Sequence, residues 1–253
     1  MTIGGFMCSR NLLRLDYSWE EAIRSMLPIC DQISISDCDS SDGTMMALRW
    51  LASKEPKIQI CHFPWQNPVA DPSWYPGWLN HAREHLETDY AIYLDADEVF
   101  DEKDYPRIRE AAEKGEALMC YRYNFWRDPQ HLIPVGHCCG VDVIRCGPQR
   151  MFFPSDYPDL RAKEISDIAQ KCEVKVYHYG FLRKREAFFR KSRATQQIWS
   201  GFYDERLEKA EKHDGPWSTM PGVTGWEDRL DEFIGTHPEV IKPWLRERGY
   251  ECG

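Results

Sequence analysis

No apolar run in these 253 residues approaches the ~20 that a membrane-spanning helix needs, so none is expected. There is no glycine phosphate loop of the GxGxxG type, no CxxC pair, no internal repeat and no low-complexity tract. The missing CxxC matters because the chain holds 10 cysteines, scattered through what read as strands and helices and including the adjacent Cys138-Cys139. Reduced, buried thiols are therefore expected rather than a disulfide framework or a zinc site. Basic residues are in deficit, 32 against 41 acidic ones, and the formal charge of -9 disfavours a general binder of nucleic acid or other polyanions. A single local basic patch stays compatible with it. The opening residues also lack the basic-then-apolar layout of a secretory leader, so a soluble, cytoplasmic protein is expected.

What is present, 42% apolar and 29% charged residues in a chain of this length, suits one compact α/β unit. From the start to about residue 100, short apolar runs alternate with segments of helical periodicity, the pattern of βα repeats around a parallel sheet. The runs Thr2 to Met7, Gln32 to Ser36, Lys57 to Cys61 and Tyr90 to Leu94 read as strands. Trp19 to Leu27, Gly43 to Ala52 and Trp78 to Glu87 read as helices. The loop Phe63 to Gly77, rich in proline and tryptophan, is long for a connection and suits a cover over a site. Beyond a charged helix after Asp104 come short β-like stretches, Ala117 to Trp126, Leu132 to Val135, Val141 to Arg145 and Arg150 to Phe153, expected to be mixed or antiparallel. From Lys184 onward the chain reads as helical.

The chemistry concentrates at Asp89 to Glu98, where an apolar run ends in Asp95-Ala96-Asp97-Glu98. Asp95 and Asp97 lie two apart, so in extended chain their carboxylates face one way, and a divalent cation with oxygen ligands relieves their repulsion. Mn2+ or Mg2+ fits that donor set. A second strand, Ile33 to Ser36, runs into Asp37-Cys38-Asp39-Ser40-Ser41-Asp42-Gly43-Thr44 before a helix. An aspartate at such a strand end can accept from a base or ribose; Ser and Asp there also serve simply as helix caps.

Taken in order, the Asp37 to Thr44 turn, Asn11 after the first strand, Asn80-His81-Ala82-Arg83 before the fourth and Asp95-Ala96-Asp97 resemble the nucleotide-sugar glycosyltransferases of the GT-A fold, family 2 in particular, over roughly residues 2 to 195. The turn departs from the usual Asp-Asp-Gly-Ser of that family. The resemblance implies a Rossmann-like GT-A fold with a largely parallel mixed sheet flanked by helices. It divides the chain into a catalytic domain over residues 1–196, nucleotide-binding to 100 and acceptor-binding after it, and a helical extension over 197–253. It implies that Asp37 contacts the nucleobase, that Cys8, Asn11, Asp39 and Arg83 lie near the nucleotide, and that Asp95 holds the ribose or a metal-bound water. Asp97 would bind the metal, which holds the diphosphate of a UDP- or GDP-sugar. The acceptor, a glycan, a lipid-linked sugar or another hydroxyl compound, is left open.

Val174 to Phe181 alternates as a strand with Val174, Val176 and His178 on one face. By itself His178 reads as a core histidine; the resemblance makes it a metal ligand beside Asp97. The following Arg183 to Arg193 stretch, interleaved with Phe188 and Phe189, reads as a helix whose basic face is either solvated or able to neutralise a leaving diphosphate. Members of the family are mostly inverting, which implies a carboxylate base between Asp97 and His178. Asp142, Asp156, Asp159, Glu164 and Asp167 are the candidates, Glu164 first and Asp156 as its alternative. Trp65, Trp74, Trp78 and Trp126 are candidate stacking surfaces for sugar rings, or packing residues. Two other functions fit parts of the pattern. Asp95-x-Asp97 also suits the nucleophile of a haloacid dehalogenase-type phosphohydrolase, and a chain without its base would be a nucleotide- or carbohydrate-binding module.

Overall fold

The apolar runs of the first hundred residues become parallel strands. In a computed structural model of the chain, which describes residues 1–71, 74–134, 142–149, 169–201, 204–212 and 229–251, β1 spans Ile3–Ser9, β2 Gln32–Asp37, β3 Ile58–His62 and β4 Tyr90–Tyr93. Between them run α1 (Trp19–Met26), α2 (Thr44–Ala52) and α3 (Trp74–Glu84). The chain continues through β5 (Glu98–Phe100), α4 (Tyr105–Lys114), β6 (Leu118–Asn124), β7 (His131–Leu132), β8 (Asp142–Pro148) and β9 (Gln170–His178). Helices α5 (Arg185–Ser200) and α6 (Glu205–Glu211), a two-residue strand β10 (Asp231–Glu232) and α7 (Lys242–Glu247) follow. This is the expected class, a Rossmann-like GT-A arrangement of a mixed sheet flanked by helices, with helical segments toward the C-terminus. The strand β10, which pairs with β7, breaks the helix read from the sequence.

The main sheet runs β3-β2-β1-β4-β8-β6-β9-β5. Strands β3, β2, β1 and β4 are mutually parallel, β8 is antiparallel to both β4 and β6, β6 is parallel to β9, and β5 is antiparallel to β9. Because the chain steps outward from β1 to β2 and β3 and then returns to β1's other side as β4, a crevice opens at the C-terminal ends of β1 and β4. Strand β4 lies between β1 and β8 with all four residues buried. That is why its sequence is an unbroken apolar run instead of an alternating one.

One face of the sheet packs Ile23, Met26, Ile33, Ile35, Leu48, Ile92, Phe100, Val174 and Val176 into the largest cluster. The other face joins Phe6 and Tyr93 to Leu79 and Ala82 of α3. Ile241, Trp244 and Leu245 cover Val99, Phe125, Tyr177 and Tyr179, so the C-terminal segment completes the casing around β5 and β9. Each such fully buried side chain contributes about 1.5–3 kcal/mol.

Two further elements differ from the sequence reading for physical reasons. Helix α3 starts at Trp74, inside the stretch read as loop, because Trp74 and Trp78, one turn apart, pack together on buried Cys38. Pro76 is tolerated there since the first turn of a helix has no intrahelical partner for its N–H groups. Strand β5 is three residues long, too short for any periodicity to show.

Candidate functional site

The pairing of β5 with β9 matches Glu98 to His178, and Tyr179 N–H donates to Asp97 O at 2.8 Å. This register sets the Asp97 carboxylate beside the imidazole, with His178 Nε2 3.6 Å from Oδ1. Gly180 permits the approach: a Cβ there would collide with His178 Nε2 and come within 2.6 Å of Asp97 Oδ2. Oδ2 accepts from Arg183 Nη2 at 2.5 Å and from Lys191 Nζ at 2.8 Å. Arg183 is fixed in turn by donating to Gly180 O at 2.5 Å and Leu15 O at 2.6 Å. Its guanidinium lies 4.3 Å from the Tyr17 ring centroid, with the Lys191 ammonium 4.9 Å from the same ring, and the π face eases the crowding of two cations.

Burial alone would raise the Asp97 pKa, but Lys191, His178 and Arg183 hold it well below the ordinary carboxylate range. Burial pushes His178 down to about 3 against the pull of Asp97, so the imidazole is neutral at pH 7, and its Nδ1 is buried without a hydrogen-bond partner. Asp95 is engaged separately, accepting from Tyr93 Oη and from Arg145 Nη2 at 3.1 Å. Desolvation, then the neighbouring Glu98 charge, raises its pKa. Glu98 itself is fully buried and accepts from Arg145 Nε at 2.9 Å and Nη2 at 2.8 Å, and from Arg122 Nη1 at 3.2 Å. Arg145 was not singled out from sequence, although a charge inside the apolar stretch Val143-Ile144-Arg145-Cys146 signals a buried partner.

The other acid-rich turn is held by its own side chains. Asp37, 1% exposed, accepts from Ser9 Oγ at 2.8 Å, Ser40 Oγ at 2.6 Å and Ser40 N–H at 3.1 Å. Asn11 ties the turn to the end of β1, its Oδ1 accepting from Ser41 N–H at 2.8 Å and its own N–H donating to Ser40 Oγ at 2.8 Å. Asp39 accepts from His62 Nε2 at 2.7 Å and Trp65 N–H at 2.8 Å, and so pins the proline-tryptophan loop. Arg10, another residue the sequence reading passed over, donates to Cys38 O at 2.5 Å and lies 3.8 Å above the Trp65 ring. Arg83 is buried between α3 and the end of β8, donating to Asn80 Oδ1 at 3.1 Å and Gln149 O at 3.3 Å.

A cleft of about 1230 Å³ gathers these groups. Cys8, Asn11, Asp95, Asp97 and His178 line it; Asp37, Asp39 and Arg83 do not. Trp65, Trp78 and the exposed Trp199 face it, whereas Trp126 is buried against Phe181 and Phe188. Among the described residues, seven basic side chains, Arg10, Arg14, Arg122, Arg145, Arg190, Lys191 and Arg193, line the cleft with two carboxylates, Asp95 and Asp97. Glu164, Asp156, Asp159 and Asp167 lie outside the described residues, as does the side chain of Asp142.

For a divalent ion, the donor atoms present fit in part. Asp97 Oδ1 and His178 Nε2, at 3.6 Å, are too far apart for a hydrogen bond. Two adjacent donors about 2.0–2.2 Å from a shared ion stand roughly 3.0–3.6 Å apart, which is this spacing. Asp95 does not close a triad with them, since the three residues do not bring ligand atoms within 4.8 Å of one another. The remaining positions would fall to oxygens of a bound ligand.

The sequence matches no protein-family model and no curated protein. Among solved structures, the mannosyltransferase PcManGT from Pyrobaculum calidifontis in complex with GDP-Man and Mn2+ is 15% identical with a TM-score of 0.49, the match covering 90% of this chain and 70% of that one. S. aureus TarS 1-349 in complex with UDP-GlcNAc is 11% identical with a TM-score of 0.45, over 83% and 70%. HddC from Yersinia pseudotuberculosis is 11% identical with a TM-score of 0.42, over 75% and 97%. Likenesses this distant leave the function to the chemistry of the cleft.

Proposed function

We propose that this chain transfers a sugar from a nucleotide-diphosphate donor, of the UDP- or GDP-sugar type, to an acceptor hydroxyl, with Mn2+ or Mg2+ held by Asp97 and His178. The observation that carries the reading is a contrast of charge: the chain is at -9, yet among the described residues seven basic side chains and two carboxylates line its cleft, beside the C-terminal ends of β1 and β4. Diphosphate is the ligand class that such a lining selects. The volume, about 1230 Å³, also exceeds what a mononucleotide needs.

A bound ion supplies Lewis-acid stabilisation of charge on the diphosphate. Arg183 positions Asp97 and spends its donors on that task. Lys191 fronts the cleft from α5 while also bonded to Asp97, and with exposed Arg190 it donates to the departing phosphate oxygens as their charge grows. Arg10 and Trp65 offer a stacking edge to the base, while the Asp37 and Asn11 turn shapes the wall behind it. With inversion, the acceptor oxygen bonds to the anomeric carbon as the carbon–diphosphate bond breaks, and Glu164 or Asp156 takes the hydroxyl proton. The acceptor class, whether glycan, lipid-linked sugar or another alcohol, follows from the half of the cleft beyond Arg145.

Thermal shift and turnover with a panel of sugar nucleotides, each with Mn2+ and with EDTA, test the reading. Stabilisation by one donor and slow release of its nucleoside diphosphate, both dependent on Mn2+, are expected. Calorimetry showing no affinity for any sugar nucleotide would sink it, and binding without turnover would leave a binding module instead.

A further inference from the structure

Where α3 packs over β2, beside the edge strand β3, a contact that is ordinarily apolar is lined by polar groups. The β2 and β3 residues facing the helix include Ser34, Ser36 and Cys61, with Ser36 in register with Cys61. His81 of α3 and His85, the residue after the helix's end, are four apart. Their rings meet edge to face with centroids 4.7 Å apart. The Cys61 sulfur and one nitrogen of each ring all lie within 4.8 Å of one another, the sole such set of His, Cys, Asp and Glu ligand atoms among the described residues.

The geometry points to a binding site for a soft divalent ion, Zn2+, formed by Cys61, His81 and His85 and separate from the sugar-donor cleft. The rings are already oriented as ligands of such an ion are. His85 Nδ1–H donates to His81 O at 2.7 Å, which fixes the tautomer and leaves Nε2 with its lone pair outward. His81 Nδ1 and Ser36 Oγ lie 3.0 Å apart, a contact in which the hydroxyl can either donate or accept, so that either ring nitrogen can be left with its lone pair. Burial, then the neighbouring His85, holds His81 below the ordinary histidine pKa, so it stays neutral and able to coordinate. Zinc–sulfur and zinc–nitrogen bonds of about 2.3 and 2.1 Å set donor atoms roughly 3.3–3.7 Å apart, so shifts of about 1 Å complete the site.

Binding exchanges the Cys61 S–H for a sulfur–zinc bond and releases one proton to solvent, at the expense of the thiol's contact with Ile35 O at 3.4 Å. All three ligands are half-buried, which leaves a path for the ion and a fourth position for water. Ordinary polar packing at a sheet edge accounts for each hydrogen bond singly. It does not account for a sulfur and two imidazoles converging on one point.

The full chain, dialysed against a chelator and titrated with Co2+, tests this. A thiolate-to-cobalt charge-transfer band saturating at one equivalent and displaced by Zn2+ is expected. Cys61→Ser should abolish the band, and His85→Ala should weaken Zn2+ binding on the order of a hundredfold, with unchanged circular dichroism in both. Either variant suffices if the other fails to fold. No thiolate band in the wild-type chain, or a band that persists in Cys61→Ser, overturns the proposal. Neither outcome touches the donor cleft, whose ion would lie between Asp97 and His178.

Discussion

Asp97 accepts from two cations on one oxygen and faces a neutral imidazole with the other, so removing its charge strands Arg183 and Lys191 in a poorly hydrated place. Asp97→Ala should cost about 3–5 kcal/mol in urea denaturation, and adding Lys191→Met to it should return part of that loss. Strict additivity of the two substitutions would show that the charges are not coupled. Acid titration reads the same corner. The depressed Asp97 carboxyl contributes stability that is complete above its unfolded pKa of about 4 and is lost as pH falls toward its folded value. His178, pushed down by burial to about 3, and His237, likewise to about 4, stay neutral in the fold while the unfolded chain takes up protons near pH ~6.5. Stability therefore declines on acidification from about pH 6.5, by up to about 1.4 kcal/mol per pH unit for each histidine. His178→Asn should flatten that slope, and urea melts at a series of pH values with an unaltered slope would refute the assignment. Gly180→Ala drives a methyl into the Asp97 and His178 pair, so a loss of about 1–3 kcal/mol together with weakened Mn2+ affinity is expected by melting and calorimetry.

Helix α5 carries its cations on one side and its anchor on the other. Phe188 and Phe189 pack with Trp126 and Ile133 while Lys191 reaches Asp97. Phe189→Ala should cost about 3–5 kcal/mol and also loosen the donor site, since the helix that presents Lys191 loses its seat. A variant destabilised to that extent yet binding sugar nucleotides with wild-type affinity would separate the two roles. At this scale much was legible beforehand. The βα alternation marked β1 to β4 because a strand buried on both faces writes itself as a continuous apolar run, and Val174, Val176 and His178 fell on one side through simple alternation. Strand β5 left no trace, being three residues inside an acidic stretch, yet its pairing with β9 brings Asp97 to His178. The cap on Asp97 was equally hidden: Arg183 and Lys191 sat within a stretch recognisably basic, but which of its charges turn inward depends on Tyr17, far away in sequence. His81 and His85 stand four apart in sequence, but Cys61 joins them only because α3 packs over β2 next to β3, which no local spacing betrays.

Across the whole molecule the acidic surface and the basic cleft oppose each other, so anions are drawn to one place and repelled elsewhere. Nucleoside diphosphate affinity should fall about tenfold or more between roughly 0.05 and 0.5 M salt, while that of the uncharged nucleoside should hardly change. Equal salt sensitivity for both would place the ligand outside the basic lining. The long proline-tryptophan loop has a further consequence. It is pinned at Trp65 by Asp39 and again where Ala70 N–H donates to Gln197 O at 3.0 Å and Asp71 N–H to Ile198 O at 2.9 Å, in the last turn of α5. Two segments more than a hundred residues apart thus meet along a seam fastened by a pair of amides, both beside residues that wall the cleft. Breathing of the chamber should start at that seam, and the deuterium uptake of those two amides would then record, in the unlabelled protein, whether the chamber is filled.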